Sequence, residues 1–196
     1  MKKIIVILTI VLSQAMCAQE KPDPETFYAT IPEAPEEYTP GTVVSRMIDG
    51  LGFRYYWATE GLREVDLAYR PTAESRTLAQ TMDHLYGLSR TIVNSAKQQP
   101  TDYTQKQSEL SFSAKRNATL ENFRIASSLF LKSADLSQHK LVFIRPQGSS
   151  EFPFWNHING PIEDAVWHAG QVVVLRRASG NPINPKVNVF LGKLNE

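Results

Sequence analysis

The chain has 196 residues, of which 42% are hydrophobic and 21% charged, and its formal net charge is +1. Basic residues form no block, so the composition argues against a nucleic-acid or anionic-lipid partner. Its single cysteine excludes intrachain disulfides and thiolate-rich zinc sites, so we expect any metal to be held by nitrogen and oxygen ligands.

The N-terminus has the pattern of a leader sequence. Two lysines precede an apolar run from Ile4 to Leu12, and small residues follow. This is typical of a secretory signal peptide and is too short for a spanning helix. We predict that residues 1–18 are a signal peptide and that the protein is exported, to the periplasm or outside the cell. The alternative is a lipoprotein anchored through Cys17, which Met16 disfavours because a small residue is expected there.

Residues 19–40 contain five prolines and several acidic residues. Such a segment cannot bury enough apolar surface to form a core, so it is predicted to be an extended lead-in. Phe27, Tyr28 and Ile31 could still lie against the surface of the domain. Residues 41–196 are long enough for one domain with its own core.

Apolar residues then recur at helical spacing in four segments. A short apolar run, Leu141–Ile144, is predicted to be a strand or an extended connection. Four helices joined by moderate loops indicate a four-helix bundle, a fold that often holds metals between facing helices. The predicted helices are Thr42–Leu62, Ser75–Lys97, Ala118–Ala134 and a last helix from Pro161 to just before Gly180.

The last predicted helix carries a carboxylate and an imidazole one turn apart. Asp164 and His168 project over the same patch and could chelate one metal ion. His84, at the edge of the apolar stripe of the second helix, is the natural third ligand. Three protein ligands would leave coordination positions open for water or substrate. The alternative is an ordinary intrahelical ion pair beside a hydrogen-bonded structural histidine.

Three further residues are candidates for a supporting or substrate-binding role, and no catalytic residue is assigned. Gln171 could hydrogen-bond a ligand histidine or simply be polar at the bundle edge. His157 falls on the same side of a helical wheel, although Gly160 and Pro161 make its place in that helix doubtful. Arg176 could bind an anionic substrate group, but complementing the negative end of the last helix is favoured. Five aromatic residues are expected in the core rather than in a pocket: Tyr55, Tyr56, Trp57, Trp155 and Trp167.

Three segments resemble the DinB superfamily, which includes YfiT-like metal-dependent hydrolases and thiol transferases. The run Leu78–Leu88, with His84 inside it, resembles the histidine motif of the second helix of that superfamily. The run His168–Pro182 resembles its fourth-helix signature, and Asn184–Phe190 resembles its C-terminal tail. The resemblance spans roughly residues 42–192.

The resemblance implies an up-and-down four-helix bundle, often a homodimer, with a divalent metal held by three histidines. His84 and His168 match two of them, whereas Asp164 stands where the first histidine of the fourth-helix pair belongs. A carboxylate also binds zinc, nickel or manganese, so we expect ligation to be retained, with an affinity and a metal preference that differ from those of three histidines. The expected activity is hydrolysis or thiol transfer on a small-molecule substrate. The rival hypothesis is a metal-free helical bundle that binds a small molecule or a partner.

Overall fold

The computed structural model describes residues 26–106 and 108–196, and the predicted signal peptide and Cys17 lie outside these ranges. The described chain is mostly helical. Its four long helices are α1 (Pro40–Thr59), α3 (Leu78–Ala96), α4 (Phe112–Leu131) and α6 (Glu163–Ala178). Two short helices, α2 (Glu64–Leu67) and α5 (Trp155–His157), lie between them.

Polar caps set where three of the four long helices begin. The side chain of Thr39 accepts a hydrogen bond from the Thr42 amide, and Pro40 occupies the first turn, where its missing N–H costs nothing. Thr77 and Gln80 cap α3 in the same reciprocal way. Ser111 caps α4, which therefore starts six residues earlier than the sequence pattern predicts.

The four long helices pack in a ring. Helix α1 contacts α4 and α6, and α3 contacts the same two helices, so α1 and α3 face each other diagonally. Ser45 near the start of α1 meets Ser127 near the end of α4, and Thr59 at the end of α1 meets Arg116 near the start of α4. Helices α1 and α4 are therefore antiparallel.

Helices α3 and α4 run parallel, which corrects the predicted up-and-down order. Asp83 pairs with Lys115, and Ser89 accepts a hydrogen bond from Asn122, so the two helices advance in the same direction. Because α3 and α4 are parallel, the connection from the end of α3 to the start of α4 must return along the bundle, a distance of about 28 Å for a 19-residue helix. The order is up, down, down, up.

A small sheet lies beside the helices. Strand β1 (Thr101–Asp102), in the crossover, pairs in parallel with β2 (Leu141–Arg145). Strand β2 forms an antiparallel hairpin with β3 (Gly148–Phe152), with Phe143 opposite Ser150. Of the two alternatives predicted for residues 141–144, a strand or an extended connection, the structure shows the strand. In the C-terminal tail, β4 (Val187–Asn188) pairs with β5 (Lys193–Leu194).

The core lies between the four long helices and includes one residue of the predicted lead-in. Tyr28 is only 1% exposed and packs so closely on α1 that a Cβ at Gly52 would lie 2.6 Å from its ring. Its hydroxyl donates a hydrogen bond of 3.0 Å to Asp49 Oδ1. From the sequence, Tyr28 is expected at most against the surface of the domain, whereas the structure places it in the core.

Among the described residues, no helix combines the length and the apolar character needed to cross a membrane.

Candidate metal centre

Two helices bring the three predicted metal ligands together. Helix α3 supplies His84, and α6 supplies Asp164 and His168 one turn apart. His84 Nε2 lies 3.0 Å from Asp164 Oδ2, and His168 Nε2 lies 3.3 Å from Asp164 Oδ1. One ligand atom from each residue can be chosen so that all lie within 4.8 Å of one another. This cluster could hold a metal ion.

The donor set suits a divalent cation of intermediate softness. Metal–nitrogen and metal–oxygen bonds of about 2.0–2.1 Å in a tetrahedral site place neighbouring ligand atoms roughly 3.3 Å apart. The two separations, 3.0 Å to Asp164 Oδ2 and 3.3 Å to Asp164 Oδ1, are close to that spacing. Two imidazoles and one carboxylate bind zinc, nickel or manganese.

The cluster lies at the surface of the bundle, with one open side. The side chains of Asp164 and His84 are 41% and 34% exposed, whereas that of His168 is 13% exposed. A cation held here by three protein atoms would keep positions accessible to water or to a small molecule, as catalytic sites do.

Gln171 fixes the tautomer of His168. Its side-chain oxygen Oε1 lies 2.6 Å from His168 Nδ1, and an amide oxygen can only accept a hydrogen bond. Nδ1 therefore carries the proton, and in neutral His168 the other nitrogen, Nε2, is an acceptor facing the Asp164 carboxylate. Two acceptors at 3.3 Å repel each other unless a proton or a cation lies between them.

His157 does not join the cluster. A π-helical segment, Ile158–Ile162, separates it from α6, and Gly160 within this segment departs from helical geometry. The His157 ring is fully buried against Phe130 and Phe154, and neither ring nitrogen has a hydrogen-bond partner in the described part of the chain. This burial lowers its pKa to about 3, with a smaller effect from His139. His157 is a core residue here.

Arg176 acts on α1 rather than on a ligand or on its own helix. It is 3% exposed, and its guanidinium donates hydrogen bonds to the backbone oxygens of Trp57, Ala58 and Glu60, where α1 ends. It also donates to the backbone and side-chain oxygens of Asn181. Both sequence-based interpretations of Arg176 are therefore wrong. The negative end that it complements belongs to α1.

The aromatic residues divide between core and surface. Tyr55 and Tyr56 are buried as expected, and Trp57 packs against the core. Trp155 and Trp167, however, are 76% and 73% exposed. The prediction that they belong to the core is wrong.

Trp167 lies in a groove that adjoins the cluster. The groove has a volume of about 790 Å³, within the range of small-molecule sites, and His168 and Gln171 form part of its lining. Helix α6 also contributes Gly170, Val174 and Leu175, and the opposite wall comes from residues before and within α3: Pro71, Ser75, Arg76 and Thr81. The sequence pattern did not single out this groove, and a glycine inside a predicted helix was the only signal for it.

Comparison of the chain with protein-family models, with curated proteins and with solved structures finds no match in any of the three.

Proposed function

We propose that this is an exported DinB-like protein that binds one divalent metal ion through His84, Asp164 and His168. The observation that carries the proposal is the arrangement of His168 between Gln171 and Asp164. Because Nδ1 is hydrogen-bonded to an acceptor, Nε2 of the neutral ring presents a lone pair beside a carboxylate. A cation shared by these two groups and by His84 relieves their repulsion, and a ligand histidine usually has such an acceptor on its other nitrogen.

The resemblance to the DinB superfamily points to hydrolysis or thiol transfer as the activity. When bound, a divalent metal would polarise an oxygen or sulfur group of the substrate, or lower the pKa of a water molecule. Gln171 would hold the His168 ring in its ligating tautomer, and the groove would orient a small-molecule substrate. Export favours hydrolysis, because abundant small thiols are expected in the cytosol.

A non-catalytic, metal-free module is the second candidate, and one observation favours it. The distance of 3.0 Å between His84 and Asp164 also fits a hydrogen bond, and a protonated His168 would complete an ion pair with the same carboxylate. In that case the cluster joins α3 to α6 without any metal, and the protein serves as a small-molecule binding or interaction module.

Metal content separates the two candidates. The protein is purified without a histidine tag and its bound metals are measured by mass spectrometry, before and after dialysis against zinc, nickel and manganese. The proposal expects close to one ion per chain, lost in His84→Ala and in His168→Ala while the helical circular dichroism is retained. A wild-type protein that takes up none of the three ions would overturn the metal site and favour the metal-free module.

A further inference from the structure

The face of α6 that lines the groove exposes two large apolar side chains, where polar residues are expected on a solvent-facing helix. Trp167 and Val174, 73% and 61% exposed, lie seven residues apart and thus on the same face of the helix. Gly170 lies between them on that face. A large exposed tryptophan beside a concave, mostly apolar groove is typical of a surface that contacts a ligand.

Gly170 has no role in the packing of the described chain. Its backbone is helical, without a positive φ, and a Cβ added there would meet no atom within 4 Å. Glycine inside a helix is less favourable than alanine, so its presence here is not explained by the helix or by its neighbours. The missing side chain leaves a shallow space between Trp167 and Val174.

One charged residue completes the groove. Arg76 lies on the wall opposite α6, is exposed, and its guanidinium has neither an ion pair nor a hydrogen bond in the described ranges. Its planar fork matches a carboxylate in a two-point contact. A phosphate monoester carries closer to two negative charges and is usually bound by several donors, so a single arginine suits a carboxylate better.

We propose that the groove binds a small carboxylate with an apolar body. The apolar body lies over Gly170 between Trp167 and Val174, and the carboxylate pairs with Arg76. As a statement about substrate class this rests on the proposed function, in which the same groove brings the reactive group towards His168. Binding itself needs only the groove.

Octanoate is the probe, and 1-octanol is its uncharged counterpart. Binding is measured by calorimetry on the full chain, once with metal removed by a chelator and once with zinc added. In both states octanoate is expected to bind more tightly than octanol, by up to about fivefold, since an exposed ion pair contributes little more. Arg76→Gln is expected to abolish the difference in affinity between octanoate and octanol. Trp167→Ala is expected to weaken the binding of both.

Glycine variants provide a sharper test. Gly170→Ala is expected to raise the melting temperature by a few degrees, because alanine favours the helix, and at the same time to weaken octanoate binding several-fold. Gly50→Ala is the matched control. It is also a helical glycine, its nearest neighbour is the flexible end of Arg54 at 3.3 Å, and it does not line the groove. It should stabilise the helix without affecting binding.

The two proposals fail in different experiments. Octanoate binding to the chelated protein, without any uptake of metal, would refute the metal centre and support the groove. Metal uptake combined with no octanoate binding in either state would overturn the carboxylate groove alone. Binding that is unchanged in Arg76→Gln, Trp167→Ala and Gly170→Ala would also overturn it.

Discussion

The imidazole ring of His84 lies edge-on against that of His168, with ring centroids 4.5 Å apart and planes at 88°. The two rings come from helices that are distant in the chain, and Asp164 reaches both through its two oxygens. Perpendicular rings direct their nitrogens towards a shared carboxylate instead of stacking on each other. Asp164 and His168 share α6, so the position of His84 relative to them is set by how α3 packs on α6.

Asp164 should determine which metal binds and how tightly. Asp164→Asn removes the negative charge of a proposed ligand. Loss of a residue that only hydrogen-bonds a ligand already costs about tenfold or more in metal affinity, so we expect this variant to lose at least about tenfold. Asp164→His restores the three-histidine set that the resemblance implies, and we expect it to retain zinc and nickel while losing manganese, which prefers oxygen ligands. Competition with a coloured chelator measures both.

Asp83→Asn is the control for these variants. Asp83 lies one residue before His84 in α3, is exposed, and pairs with Lys115 outside the cluster. Asp83→Asn removes the same charge as Asp164→Asn but leaves the cluster intact. Because an exposed charge outside the cluster is largely screened, the metal affinity should remain within about twofold of wild type. Equal losses in both variants would mean that Asp164 acts only through long-range charge.

Gln171 should affect metal binding without touching the metal. Gln171→Leu removes the acceptor of the His168 Nδ1 proton, and we expect a loss of about 10-fold to 100-fold in metal affinity. Gln171→Glu keeps an acceptor for this proton and should therefore retain metal binding. Because Gln171 is exposed, neither change should alter the urea midpoint of the metal-free protein by a measurable amount. Identical affinities in the two variants would contradict this role.

Local sequence patterns predicted that the three side chains come together, because helix spacing alone places Asp164 and His168 on one face and a histidine at the edge of the α3 stripe faces a neighbouring helix. Long-range features could not be predicted in this way. The parallel packing of α3 and α4 depends on the long connection between them, whose sequence has little periodic pattern of its own. The burial of Tyr28 depends on contacts with residues more than 20 positions away.

Arg176 should be essential for stability. Arg176→Ala leaves the backbone oxygens of Trp57, Ala58 and Glu60 without their donor, so we expect the free energy of unfolding to fall by about 2–4 kcal/mol. Arg177→Ala, next to it but exposed, removes the same charge and should change stability by less than about 0.5 kcal/mol. Urea unfolding of the metal-free proteins measures both, and equal effects would disprove the capping role.

His157 should make the fold sensitive to acid. Its pKa of about 3 in the folded state lies below the ordinary value of 6.5 because the ring is buried. Between these values the unfolded chain takes up a proton that the folded chain refuses, so the free energy of unfolding falls as the pH falls. The slope from this residue is at most about 1.4 kcal/mol per pH unit. Above the ordinary value His157 is neutral in both states and contributes no slope.

His157→Phe tests this contribution, because phenylalanine can occupy the site beside Phe130 and Phe154 without a titrating group. Carboxyl groups add slopes of their own, and Asp66 and Asp49 are examples of the two directions. The pKa of Asp66 is lowered chiefly by its pairing with Arg63, so its contribution is lost as the pH falls below 3.8. Burial raises the pKa of Asp49, which adds stability as the pH falls. The contributions of the carboxyl groups cancel in the difference between wild type and variant. Urea unfolding at a series of pH values, with metal chelated, should give a shallower acid slope for His157→Phe, and parallel curves would show that His157 is not protonated on unfolding.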